Sequence, residues 1–227
     1  MTIRHVIFDC DGVLVDSEPL SMRVDMALLA EHGVAITEED AHRRFVGLTF
    51  KAMITMMEAE SGRNLPRGIG AEKDRRLLDL YRQELRPVEG VDAVLGRLAG
   101  RTSIASNSPQ ARVAAALDLT GLTRYFAGRI TTFEHVQRGK PEPDIFIEAA
   151  RRAGFDPKHC LVIEDSATGV TAAVRAGCRV LGFTGTHLNR GDHGARLKAI
   201  GAEGIFHHMR DLPGFLRQWR VPGFESL

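Results

Sequence analysis

A chain of 227 residues with 30 Lys and Arg against 29 Asp and Glu carries a net charge of +1, which leaves no field suited to nucleic acid and no acidic tail. Its three cysteines, Cys10, Cys160 and Cys178, lack any C-x-x-C spacing and read as buried thiols of a reducing compartment, over zinc ligands or disulfides. No apolar run approaches the roughly 18 residues of a bilayer span, so a cytoplasmic protein is expected, and the length suits one ordinary domain with a modest insertion.

The chain begins almost directly with a strand pattern, His5-Val6-Ile7-Phe8, that ends on Asp9-Cys10-Asp11-Gly12. A strand delivering two acids to the carboxyl edge of an open α/β sheet puts them where ligands bind. Alone, D-x-D-G reads equally well as an Asx-type turn. From residue 17 to 87 the periodicity is helical only, over 20–32, 37–45, 49–60 and 71–85, with Gly33, Gly47, Gly62, Gly68 and Gly70 between the runs. Asp16 and Ser17 shape the entry to this segment, and Met53, Met56 and Met57 fall at the spacing of a helical core. After Arg86-Pro87 the pattern alternates: helix 91–98, strand 102–105, helix 110–119, strand 129–131, helix 143–153, strand 160–163, helix 167–176, strand 179–183, strand 204–206 and helix 212–219. The Gly-rich stretch 185–194 reads as a loop with His187 and His193 on its surface, and 221–227 as a loosely held tail.

Such alternation predicts an α/β fold, a Rossmann-like parallel sheet core with helices on both faces, plus a small all-helical domain. The core takes residues 1–16 and 88–227, and the helical domain 17–87. Three more segments carry chemistry. Thr102-Ser103-Ile104-Ala105-Ser106-Asn107-Ser108-Pro109 closes a strand on hydroxyl and amide groups ahead of a helix, where anions are favoured. Gly139-Lys140-Pro141-Glu142-Pro143 holds one lysine between turn formers, and Cys160-Leu161-Val162-Ile163-Glu164-Asp165-Ser166 ends a second strand on adjacent acids. Taken singly, Ser106 could be an N-cap, Lys140 an exposed turn lysine and Asp165-Ser166 a helix cap.

In this order the four segments, D-x-D-G-V-x-x-D-S-E, S-N, G-K-P-x-P and E-D-S-x-x-G, resemble the motifs of the haloacid dehalogenase superfamily over about residues 5 to 185. Within it the chain is similar to the β-phosphoglucomutase-like sugar phosphatases, whose helical cap follows the first motif. The resemblance implies Asp9 as nucleophile and metal ligand. It implies that the Asp11 side chain is the acid and base of the two half-reactions, with its backbone carbonyl on the metal. Asp165 would be a further ligand of Mg2+, and Glu164 one directly or through water; this hard cation suits a few carboxylates with phosphate and water. Ser106 and Asn107 would bind the phosphoryl oxygens, and Lys140 would balance the charge of Asp9 and the phosphate.

The expected activity is Mg2+-dependent hydrolysis of a small phosphorylated metabolite, such as a sugar phosphate, through an aspartyl-phosphate. The expected partner is thus a small phosphate ester, with no nucleic acid, no membrane, and a monomer ahead of a dimer. A phosphosugar mutase is the first alternative. Related mutases place a phosphate-binding arginine after the glycine corresponding to Gly47, where this chain has Phe50 and Lys51, and Ser21 replaces a cap histidine. Phe50 and Lys51 are accordingly the candidate readers of the remote part of the substrate, with Lys73 and Arg75 of the same helical segment as further candidates for specificity. A metal-independent dehalogenase would lack the second acid that Asp11 supplies, and an idle binding module would have lost an acid that this chain keeps.

Overall fold

In the computed structural model, which describes residues 2–45, 50–98, 100–126 and 128–224, six short strands form one parallel sheet. They are β1 (His5–Phe8), β2 (Thr102–Ser106), β3 (Ile130–Thr132), β4 (Cys160–Glu164), β5 (Arg179–Phe183) and β6 (Gly204–Phe206), in the order β3-β2-β1-β4-β5-β6. Every residue of β1, β2 and β4 is buried, as expected of strands covered on both faces. One covering layer packs Ile145, Phe146, Ala149 and Ala150 of a helix at Asp144–Ala153, together with Val170, Ala172 and Ala173 of one at Ala167–Arg175, against Ile7, Ala105 and Val162. Chain order runs outward from β1 through β2 to β3 and then returns to the other side of β1 with β4. The reversal opens a crevice at the carboxyl ends of β1 and β4.

The chain divides into two compact units, residues 1–16 with 86–227, and residues 17–85. Where the first unit gives off the second, the two connecting segments pair: Val15 bridges Pro87 antiparallel, and the Asp16 amide donates to the Arg86 carbonyl at 3.0 Å. The second unit is all-helical, with α1 (Glu18–Glu31), α2 (Glu38–Phe45), α3 (Phe50–Ser61) and α4 (Ile69–Glu84). Leu20, Leu28, Met53, Met57, Leu77 and Tyr81 form its buried interior. Helices α5 (Val91–Leu98), α6 (Gln110–Leu119), α7 (Asp144–Ala153) and α8 (Ala167–Arg175), with α9 (Arg190–Ile200) and α10 (Leu212–Gln218), complete the first unit.

Two sequence expectations are corrected here. Residues 190–200 form α9, although Gly191 and Gly194 hide it in a pattern that reads as loop. Asn189 caps it by accepting from the Asp192 amide, and Gly194 brings it close enough to β6 that a side chain there would press on Ile205. The tail is also held over the four residues described: Val221 and Phe224 are fully buried, Arg97 stacks on the Phe224 ring at 4.2 Å, and its guanidinium donates to the Gly223 carbonyl.

His5 stands out inside β1 because it is an ionisable group 2% exposed. It stacks on Phe155 at 5.3 Å and shares a 2.9 Å hydrogen bond with Ser103. Burial, with Arg129 adding to it, lowers its pKa from 6.5 to about 4. The neutral ring therefore belongs to the folded state. Its stabilisation is complete above the unfolded value of 6.5 and is lost as pH falls from there through about 4. A shift of this size corresponds to on the order of 3 kcal/mol. Urea titrations between pH 7 and 4 are expected to show the wild type losing stability more steeply than His5→Gln, which has no proton to take up. Equal slopes would mean that His5 carries no such linkage.

Candidate active site

The β1 and β4 ends converge because the parallel register sets Phe8 opposite Ile163 and the Asp9 amide donates to the Ile163 carbonyl at 2.9 Å. Asp9, Glu164 and Asp165 are 8%, 0% and 5% exposed, and one carboxylate oxygen from each lies within 4.8 Å of the others. Lys140, 7% exposed, reaches into the group from the loop before α7. Its ammonium donates to Asp9 Oδ1 at 2.8 Å and to Glu164 Oε1 at 2.5 Å. The Asn107 side chain holds that loop, accepting from the Lys140 amide at 2.9 Å and donating to its carbonyl at 3.0 Å. The reading of Lys140 as an exposed turn lysine is thereby excluded.

Glu164 is fixed on its other side by Ser166, whose amide and hydroxyl donate to Oε2 at 2.8 and 3.0 Å. Ser166 is also the N-cap of α8, accepting from the Gly169 amide. Capping therefore falls to Ser166, and Asp165 faces the acidic group. Ser106 is no helix cap either: Pro109 occupies that position for α6, while the Ser106 hydroxyl accepts from the Ser108 amide at 3.0 Å.

Burial pushes the Asp9 carboxyl well above the usual carboxylate range; Lys140 opposes this, and Glu164, Asp165 and Asp11 add to it. Burial alone would favour a neutral Lys140, but Asp9 and Glu164 hold its ammonium above the ordinary lysine value. Three buried carboxylates around one ammonium leave an excess of negative charge. A divalent cation with oxygen ligands would neutralise it, so the donor set fits Mg2+. Cys10, between the two aspartates, has a thiol raised well above its ordinary value by burial, and Cys160 is pushed up to about 12 the same way. All three cysteines are buried and free.

The histidines expected on a surface loop are a third correction. His187 Nε2 lies 3.0 Å from Asp165 Oδ2, His193 Nε2 lies 2.5 Å from the Asp165 backbone oxygen, and the two rings stack at 3.8 Å. Thr186 in the same segment donates to the Gly12 carbonyl at 2.9 Å. One stretch before and inside α9 thus braces both acidic strand ends. Sequence reading missed it because its glycines concealed the helix that brings His193 inward. Ser108 and Arg112 were also missed: Ser108 donates to Asp11 Oδ2 and accepts from Arg112, each at 2.6 Å. Their position just after Ser106-Asn107 was the only available signal.

In the helical unit, Phe50 and Lys51 open α3, Lys51 exposed and Phe50 partly buried. Lys73 lies over the Phe50 ring at 4.4 Å and is paired with buried Asp25 at 2.7 Å; Arg75 pairs with Glu72 at 2.7 Å. Gly47 lies outside the described residues.

A family model for haloacid dehalogenase-like hydrolases matches residues 3–177. The 6-phosphogluconate phosphatase of Escherichia coli strain K12 is 26% identical over 224 residues, which cover 98% of this chain and 97% of that protein. A phosphorylated carbohydrates phosphatase of Thermotoga maritima is 32% identical over 180 residues, 77% of this chain and 82% of that protein. The crystal structure of a haloacid dehalogenase-like protein from Agrobacterium tumefaciens strain C58 is 36% identical, with a TM-score of 0.86 over 96% of this chain and 99% of that one.

The acids occupy space that glycines leave open. A methyl group on Gly169 would overlap the Glu164 carboxylate, which is fully buried, whereas Gly191 in α9 has nothing within 4 Å. Gly169→Ala is expected to destabilise the protein by about 2 kcal/mol or more, as overpacked sites do. Gly191→Ala is expected to stabilise it by roughly 0.5 kcal/mol through helix propensity. Chemical denaturation of both variants checks this, and a neutral Gly169→Ala would mean that Glu164 is not confined as described.

Proposed function

The chain belongs to the haloacid dehalogenase-like hydrolases, and from that premise we propose that it is a Mg2+-dependent phosphatase of small phosphorylated metabolites, sugar phosphates or sugar acid phosphates, acting through an aspartyl-phosphate. The observation that carries this reading is the buried group of Asp9, Glu164 and Asp165 around Lys140, with Asp11 two residues beyond Asp9. The two phosphatases most directly compared act, by their names, on 6-phosphogluconate and on phosphorylated carbohydrates.

Asp9, Asp165 and the Asp11 carbonyl would hold the ion, with Glu164 joining directly or through water. When bound, the ion offsets the charge repulsion between a carboxylate and a phosphate dianion. An Asp9 carboxylate oxygen attacks phosphorus and forms a P–O bond as the bond to the leaving oxygen breaks. The Asp11 carboxyl gives its proton to that oxygen, and the alcohol departs. Asp11, now a carboxylate, takes a proton from water as the water oxygen attacks the aspartyl-phosphate. The Asp9 oxygen leaves with its electron pair, restoring the carboxylate and releasing inorganic phosphate. Ser106 and Asn107 contact the transferring oxygens, and Lys140 balances the charge of Asp9 and the phosphate. Asn107 also anchors the Lys140 loop.

A mutase would need to hold a second phosphate on the substrate. Pairing of Lys73 with Asp25 and of Arg75 with Glu72 engages two cations of the helical unit with acids of that same unit. Phe50 and Lys51 are proposed to read the part of the substrate remote from the scissile group. Lys51→Ala is expected to raise KM several-fold for an anionic sugar phosphate and to leave a generic aryl phosphate little changed, because the lost contact lies outside the transferring group. Equal effects on both esters would remove Lys51 from this role.

Hydrolysis of p-nitrophenyl phosphate and of a panel of phosphorylated metabolites, with Mg2+ and with EDTA, tests the main reading. Asp9→Asn is expected to lose at least about 1,000-fold in kcat, equivalent to several kcal/mol, while its circular dichroism stays native. Calorimetric titration of Asp165→Ala is expected to show weaker Mg2+ binding than Asp11→Asn, whose backbone carbonyl remains. Near-normal turnover in folded Asp9→Asn would end the covalent mechanism.

A further inference from the structure

We infer that Ser108 and Arg112 are positioning residues that fix the orientation of Asp11, so that its proton transfer, rather than phosphoryl binding, depends on them. The observation is a directional chain of hydrogen bonds: Arg112 Nη2 donates to Ser108 Oγ at 2.6 Å, and Ser108 Oγ donates to Asp11 Oδ2 at 2.6 Å. A serine hydroxyl has a single hydrogen. Accepting from Arg112 leaves that hydrogen to point at Asp11, so the guanidinium sets the direction of the second bond.

The chain sits on rigid parts. Ser108 is 6% exposed, and its amide donates to Ser106 Oγ at the end of β2, while Arg112 lies in the first turn of α6. Asp11, by contrast, lies beyond the end of β1, just before Gly12 at φ +74°. It is partly exposed. A donor anchored to another strand restricts rotation about the two side-chain bonds of such a carboxyl. General acid catalysis of this kind contributes roughly 100- to 10,000-fold, and misplacing the acid forfeits part of it.

The inference rests on the phosphatase reading, in which Asp11 protonates the leaving oxygen. It predicts an effect that a merely structural role would not produce. A leaving group that is already a stable anion, such as p-nitrophenolate, needs little protonation; an alkyl alcohol needs a full proton. The discriminating quantity is kcat/KM, which ends at alcohol release and excludes hydrolysis of the aspartyl-phosphate.

The experiment measures kcat/KM for a series of aryl and alkyl phosphates of rising leaving-group basicity, in wild type, Ser108→Ala, Ser108→Thr, Arg112→Lys and Arg112→Met. Ser108→Ala and Arg112→Met are expected to lose roughly 10- to 100-fold on the alkyl esters and less than about 3-fold on p-nitrophenyl phosphate, so that the leaving-group dependence steepens. Ser108→Thr keeps the hydroxyl and is expected to restore the wild-type slope, with Arg112→Lys intermediate. Mg2+ affinity by calorimetry is expected to stay within about 2-fold in Ser108→Ala. Parallel loss on every ester by a folded variant, or a steepened slope that Ser108→Thr does not restore, overturns the relay while leaving the phosphatase reading intact. A wild-type protein inert toward every ester overturns the reading and the relay together.

Discussion

A lysine ammonium buried between two carboxylates is the constraint around which the first unit is arranged. Placing Lys140, Asp9 and Glu164 away from water costs several kcal/mol per ion unless geometry and further hydrogen bonds compensate. The compensation comes from separate parts of the chain. Asn107 beyond β2 grips the backbone of Lys140, Ser166 beyond β4 binds the far oxygen of Glu164, and the Phe146 ring of α7 lies 5.2 Å from the ammonium. Removing Lys140 would leave two buried carboxylates without their counter-charge, which is the expensive case. The cluster therefore depends on β1, β2, β4 and the loop before α7 being in register together, and the parallel sheet supplies that register.

The same constraint explains the small residues beside the acids. Gly12 has φ +74°, a conformation that side chains with a Cβ adopt only at a cost, and a methyl there would meet the Asp165 carboxylate. Gly169 stands against Glu164 in the same manner. Each glycine lies within a few residues of one strand end and faces an acid, so D-x-D-G and E-D-S-x-x-G have a steric meaning besides a chemical one. The acids are drawn close enough to share one cation because the backbone around them gives up side chains. Thr186, His187 and His193 then brace the resulting pair of turns from the α9 side.

Where the pattern of residues was strongly periodic, it was enough to foresee the fold. Val6-Ile7-Phe8 and Leu161-Val162-Ile163 could only be strands buried on both faces, and the acids that follow them had to emerge at one edge. What periodicity could not decide was the fate of single polar residues. Lys140 among prolines looks the same whether it is solvated or buried, and only the pairing of β1 with β4 brings Asp9 and Glu164 to meet it. The α9 segment was illegible for a different reason. Gly191 and Gly194 lower helix propensity, and Gly194 has its reason in close packing on Ile205 of β6, a tertiary contact that helical periodicity does not display. Phe224 likewise is buried in contact with Arg97, far away in sequence.

Asp9 and Asp11 are two residues apart and of the same chemical type, yet their surroundings differ in kind. Asp9 is buried and faces a full positive charge, which opposes the rise in its pKa that burial causes. Asp11 is partly exposed and accepts a hydrogen bond from the Ser108 hydroxyl, which is held from another strand. Two carboxyls divided in this way can take separate parts of one reaction, as differing environments divide other acid pairs. The division follows from geometry alone. Asp9 directly follows β1, its amide still bonded to Ile163 of β4, and is carried inward to Lys140, while Asp11 lies two residues farther on, where Ser108 beyond β2 reaches it.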